Sequence, residues 1–249
     1  MIQSLVPGLV PGLGNGLRSA LSRLQTRLRP DPAALAYVGP SPLVTDAAPP
    51  IDLSTEPSPY VQPDRATCGS CCLVLARMIN HPEYARTILA PPPDEHVPDV
   101  AAHFHADVLA MHELTSSLRD ETGRRQLPWP KSLGTHPWAV ARRMGEPGGC
   151  GVTGSAYAVR YADPGRLDAH IDAIETALSA GHCVPIFIGD GACPRHVLLA
   201  VDTEGHAIGV YDPSRGTRVV VGRDAIRTST IDVAGWDQLW LSILPRRRW

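Results

Sequence analysis

No stretch of this 249-residue chain approaches the run of about 18 apolar residues that a membrane span needs, so a transmembrane helix is not expected. Charge of one sign is lacking too. The chain carries 23 Lys and Arg against 25 Asp and Glu, for a net charge of -2. A balance this close to neutral gives no whole-chain attraction to nucleic acid or to a membrane surface. Six cysteines in a chain this long are too few for a disulfide scaffold. The N-terminus has no basic residue before Arg18 and is broken by Pro7 and Pro11, which argues against a secretory signal. The address is left open between the cytoplasm and export by a specialised secretion system. What the chain does have is 43% hydrophobic residues, enough for one large domain or a domain with an extension.

The composition divides the chain near residue 57. Residues 1–57 read as an N-terminal arm rich in proline and glycine. Within it Leu17, Leu21, Leu24 and Leu28 fall on one helical stripe, while Arg18, Arg23, Arg27 and Arg29 project elsewhere. Such a basic amphipathic helix can lie against its own domain, the simpler expectation, or dock on a protein partner, secretion machinery or an anionic membrane surface. Eight prolines between residues 30 and 59 then predict an extended linker or wrapping arm without a core of its own. Residues 58–249 carry the expected folded domain, with a C-terminal Arg246-Arg247-Arg248 as a solvated end.

The domain is helical first and β afterwards, an α+β arrangement. A buried helix is expected from Cys68 to Pro82. A second is expected over Val97–Thr122, with Val100, Phe104, Val108, Met111 and Leu114 inward, and a short one over His136–Met144. The glycines of Glu146–Gly154 exclude a helix there, and Tyr157–Tyr161 predicts a short strand. Pro164–Ala180 places Leu167, Ile171, Ile174 and Leu178 on one face and Gly181 at the stop. From Val184 the period becomes that of strands: VPIFI, HVLLAVD, HAIGVYD, TRVVV and DQLWLSI, joined by turns, predict an antiparallel meander.

The stretch Tyr60–Met78, YVQPDRATCGSCCLVLARM, organises the chemistry. It runs from a proline-rich loop through a cysteine and a glycine into an apolar helix. A thiol on the first turn of a helix meets unpaired backbone N–H groups and the positive end of the macrodipole, and both favour a thiolate. Cys68 is therefore the candidate nucleophile, and Gln62, six residues upstream, can send an amide N–H to the same spot. The base is sought in a hairpin. If Thr203-Glu204-Gly205 is a three-residue turn, residues whose numbers sum to 408 face each other. His196 then lies directly opposite Asp212, with Cβ atoms about 5 Å apart. Asp190 and Asp202 compete with Asp212 for the role of carboxylate. Cys, His and Asp in these places divide the labour of acyl transfer: nucleophile, general base and orienter of the imidazole.

Other chemistry has weaker support. Cys68 and Cys71 have a Cys-x-x-Cys spacing, but a structural zinc site usually needs a second pair, and His103, His105 and His112 do not share a helix face. No metal and no cofactor are expected, and Cys71 and Cys72 are expected to be buried in the helix that carries Cys68. Pairing among Cys150, Cys183 and Cys193 stays open. Trp129, Trp138, Trp236 and Trp240 are core or groove wall.

The ordered set QPDRATCG, LSAGHCVPIFIGDG, RHVLLAVD and VYDPSRG resembles the papain-like cysteine peptidases over about residues 58–245. Within that group it is most similar to the bacterial branch that processes bacteriocin leaders at double glycines, and to its stand-alone relatives. The resemblance implies a helical half carrying the cysteine, a β half carrying the histidine, and a groove between them. It also implies a peptide or protein substrate, with Gln62, Cys68, His196 and Asp212 as oxyanion donor, nucleophile, base and orienter. Two departures bear on the substrate and leave the chemistry intact. Ser70-Cys71-Cys72 replaces the family's proline and small residue after Cys-Gly, and no transporter segment is expected after the peptidase-like part. Deamidation or transglutamination by a bacterial effector or toxin would use the same four residues. A papain-like interaction domain without activity would use none of them.

Overall fold

Strands of nearly continuous apolar sequence need cover on both faces, and the arrangement of the sheet follows from that need. The computed structural model describes residues 13–28, 51–89, 99–120, 123–126 and 129–246. Its six strands are β1 (Ala156–Tyr161), β2 (Val184–Gly189), β3 (Pro194–Glu204), β4 (Ala207–Asp212), β5 (Thr217–Gly222) and β6 (Gln238–Arg246). They form one antiparallel sheet in the order β1-β6-β2-β3-β4-β5. Strands β2 to β5 are a meander, as expected. Strand β6 departs from it: the chain leaves the β5 edge and inserts β6 between β1 and β2. Leu239 to Leu244 are all buried, so this strand takes an interior place and leaves the edges to β1 and β5.

Among the described residues seven α-helices pack around this sheet, giving a mixed α+β fold. Alternate residues of β3 build the two cores. Val197, Leu199 and Val201 join the side that holds α2 (Cys68–Asn80), α3 (Pro82–Leu89), α4 (Val100–Ser116) and α5 (Pro137–Gly145). Leu198 and Ala200 join the side that holds α6 (Leu167–Ser179) and α7 (Arg223–Thr228). Helix α2 is apolar all round, with Cys71 through Ala76 entirely buried, the signature of an interior helix. Phe104, Val108 and Met111 of α4 are buried, and Val100 and Leu114 are half-buried against the same core. This helix is shorter than expected. It starts after Asp99, whose carboxylate accepts from Ala102 N–H at 3.1 Å, and stops where Ser117 turns extended. Leu167, Ile171, Ile174 and Leu178 of α6 all reach the core, and Gly181 follows at φ 80.

Helix α1 (Leu13–Leu28) lies against the domain, but not by the expected face. Leu17 and Leu24 are 49% and 53% exposed, while Arg18 is 1% exposed. The surface beneath the helix presents backbone carbonyls, and those call for donors. Arg18 donates to Leu239 C=O and to Gln238 Oε1, and lies 5.3 Å from the Trp240 ring. Gln25 donates to Val159 C=O, and Ser19 donates to Asp163 at 3.0 Å. The side chains of Arg27 and Leu28, with residues 29–50 and the tail 247–249, lie outside the described residues. Residues 51–57 also meet the domain: Leu53 C=O accepts from Arg218 N–H on the β5 edge at 3.0 Å. Among the described residues no helix is long and apolar enough to cross a membrane.

Candidate functional site

The loop before α2 is tied by its own polar side chains. Ala66 N–H donates to Asp64 Oδ1 at 2.7 Å, and Thr67 Oγ1 donates to Asp64 C=O at 3.0 Å. The helix ladder opens with Cys71 N–H on Thr67 C=O at 2.9 Å, which makes Cys68 the first helical residue. Its N–H is therefore one of those that a helix leaves without an internal acceptor. The glycine after it is a steric requirement, since a Cβ on Gly69 would lie 2.7 Å from Thr135 Cβ. Thr135 fixes this end of the helix further by meeting Ser70 Oγ at 3.2 Å.

The hairpin brings His196 to Asp212, although by a register different from the expected one. The turn is tighter, with Glu204 opposite Ala207, Thr203 opposite Ile208 and Asp202 opposite Gly209. These pairs sum to 411. Continued along the ladder, that register would set His196 and Asp212 on opposite faces. An irregularity between Ala200 and Asp202 takes up one residue at Val201, after which Ala200 faces Val210 and Leu199 faces Tyr211. The sum becomes 410, parity is restored, and His196 meets Asp212 diagonally. A β-bulge, which commonly re-aims side chains, thus assembles the pair. His196 Nε2 lies 2.8 Å from Asp212 Oδ1. The other ring nitrogen remains, and Cys68 acts on the same imidazole as one of the groups that raise its pKa.

All three groups are buried: Cys68 is 5% exposed, His196 6% and Asp212 0%. Burial by itself would lower the His196 pKa, but the hydrogen bonds to Asp212 and Cys68 and the charges of both outweigh it, and the imidazole is pushed up to about 9. For Asp212 burial works toward a higher value. The donors around it prevail, and its carboxyl stays below the usual carboxylate range. Those donors are His196, Ser214 N–H at 2.9 Å and Ser214 Oγ at 2.8 Å.

Asp190 and Asp202 are otherwise engaged. Asp190 accepts from the N–H groups of Ala192 and Cys193, and Asp202 receives the Arg218 guanidinium at 2.6 Å. Gln62 is held at the same corner as Asp212, because its N–H donates to Pro213 C=O at 2.8 Å. The Tyr211 hydroxyl donates to Tyr60 C=O, two residues before Gln62. Gln62 Oε1 is buried with no hydrogen-bond partner among the described residues. Cys71 and Cys72 are fully buried, and burial drives both thiols far up in pKa, so they stay protonated. All six cysteines are free, and no group of three or more metal-ligating side chains occurs among the described residues.

Two contributors had no place in the sequence reading. Ser214 could have been found, because Asp-Pro-Ser is a turn in which the serine lies back over the aspartate. Thr135 could not, since only the tertiary packing against Gly69 gives it a role. Of the tryptophans, Trp240 is core beneath Arg18, and Trp236 packs at the edge of the second core. Trp129 and Trp138 flank His136 near Thr135. Comparison with family models, curated proteins and solved structures finds no match to this chain.

Proposed function

We propose that this chain is a cysteine-dependent acyl-transfer enzyme of papain-like type that hydrolyses peptide or isopeptide bonds. The observation that carries the reading is the imidazole of His196 held at 2.8 Å by the Asp212 carboxylate, with the helix-start thiol of Cys68 acting on the same ring. Neutral pH lies well below the value of about 9 at which His196 gives up its proton, so the resting ring is an imidazolium, and attack proceeds through the thiolate form of Cys68 beside it. Cys68 Sγ attacks the carbonyl carbon. Its own N–H and the Gln62 amide donate to the developing oxyanion, at about 3 kcal/mol per donor in typical cases. His196 gives its proton to the departing amine, and the C–N bond breaks to leave a thioester on Cys68. His196 then takes a proton from water, the hydroxide attacks the thioester, and the acid leaves as Cys68 is freed. Asp212 stays ionised and holds the ring in one orientation and tautomer.

The arrangement of a helix-borne cysteine against a sheet-borne histidine supports the papain-like reading, as do the four sequence motifs. Profiling of cleaved and modified peptides, wild type against Cys68→Ala, tests it. New N-termini that depend on Cys68 are expected. Deamidated or cross-linked glutamines in their place would move the chain to the other acyl transfers, and no Cys68-dependent change would remove the enzyme.

A further inference from the structure

The loop that wedges Thr135 against Gly69 continues into a groove. His136 is buried between two indoles, its ring centroid 4.5 Å from that of Trp129 and 4.6 Å from that of Trp138. Burial lowers its pKa, and its Nδ1 caps α5 by accepting from Trp138 N–H at 3.3 Å. Trp138 itself is 55% exposed. Along the same side of α5 a cavity of about 240 Å³, lined by His136, Trp138 and Arg142, adjoins one of about 310 Å³ lined by Arg142, Arg124 and Arg125. The two share Arg142 in their linings, so a groove read along this side of α5 has an aromatic end and a cationic end.

Among the described residues, the two acids that line it are engaged and turned inward. The Asp120 side chain is 2% exposed and receives Arg142 at 2.9 Å, and Glu146, 8% exposed, pairs with buried Arg143. Arg124 and Arg125 stand exposed. The described lining therefore carries three arginines against two inward-turned carboxylates, beside an open indole, in a chain whose net charge is -2.

We propose that this groove recognises an acidic peptide segment of the substrate, with an apolar side chain laid on Trp138 and Asp or Glu side chains at Arg124 and Arg125. The inference rests on the reading of Cys68 as nucleophile, since Thr135, the residue before His136, packs against Gly69, the residue after Cys68. Single-stranded nucleic acid also favours aromatics and arginine, but it needs a basic track that follows many phosphates. Three arginines backed by carboxylates make a short site suited to a few carboxylates.

Binding can be tested apart from turnover by using Cys68→Ala. The probes are a pooled library of eight-residue peptides with one to three Glu, the matched library with Gln in the same places, and a dT20 oligonucleotide. At low salt the Glu pool is expected to bind about fivefold or more tighter, as two partly exposed ion pairs would give. The preference should fade by 0.5 M salt and vanish in Arg124→Ala/Arg125→Ala. In Arg124→Glu/Arg125→Glu it should pass to a Lys pool. In the active protein the double alanine variant should raise KM for acidic substrates and leave kcat unchanged. Equal binding of the Glu and Gln pools, a preference that survives the arginine variants, or tighter binding of dT20 would overturn the groove assignment. An inactive wild type that still selects the Glu pool would reject the enzymatic reading while leaving the groove in place.

Discussion

His196 and Asp212 meet at 2.8 Å although the backbone position opposite Asp212 in the continued register belongs to Leu198. The pair is diagonal, and it exists because one residue, Val201, is taken out of the ladder. Asp212 then has all its oxygen contacts within a single corner formed by His196, Ser214 and the turn through Pro213. The carboxylate that orients the imidazole is consequently fixed by the end of β4, and the loop carrying Gln62 is pinned to the same turn.

Asp212→Asn should lower kcat/KM by a factor on the order of 10²–10⁴, the usual range when an imidazole loses its orienting carboxylate. Asp202→Asn should change it less than about twofold, because it weakens only a partly exposed pair with Arg218. Steady-state kinetics on the substrate found by profiling check both. A larger loss in Asp202→Asn than in Asp212→Asn would contradict the assignment.

The pH dependence follows from the two shifts. Acylation needs imidazolium, so kcat/KM should fall as pH rises through about 9. Asp212→Asn removes the anion that favours the charged ring, and the alkaline limb should move to lower pH. Stability follows the same sign. His196 is raised above its ordinary 6.5, so its contribution is complete below pH 6.5 and is lost as pH rises through about 9. Asp212 is lowered from 3.8, so its contribution is present above pH 3.8 and is lost on acidification below that. Urea midpoints across pH, compared between wild type and His196→Gln, measure the first of these.

Gly69→Ala should destabilise the fold by about 1–3 kcal/mol through overpacking on Thr135, in spite of the better helix propensity of alanine. Thr135→Gly removes the obstructing Cβ and should restore much of the loss in the double variant. Independent, additive effects would contradict the contact.

Much of the folded domain was legible from periodicity. The α2 helix, the inward residues of α4 and α6, and all six strands lie close to where the apolar spacing places them. The register was not legible, because the bulge at Val201 arises from pairing with β4 and leaves no mark in HVLLAVD. The same holds for β6, whose place between β1 and β2 depends on which neighbours can cover it. In α1 the leucine stripe misled. An apolar face is a good guide when the surface beneath is apolar, but here that surface presents the carbonyls of Leu239 and Val159, and Arg18 and Gln25 answer them.

Arg18→Ala should release α1 from the domain while the rest of the fold unfolds at nearly the same denaturant concentration. A buried guanidinium with hydrogen bonds to Leu239 and Gln238 and an aromatic partner in Trp240 is worth about 1–3 kcal/mol, enough to raise amide exchange in residues 13–28 by about 10- to 100-fold. Hydrogen exchange read by peptide mass checks this. Unchanged protection there would place the docking energy elsewhere.

The most direct test of the central claim is the rate at which each cysteine is alkylated by iodoacetamide at pH 6, read by peptide mass in wild type and in His196→Ala. Cys68 should be modified far faster than Cys71, Cys72, Cys150, Cys183 or Cys193, and that advantage should collapse when His196 is removed. Slow, uniform labelling of the six, or a fast Cys68 indifferent to His196, would contradict a thiol activated by that imidazole.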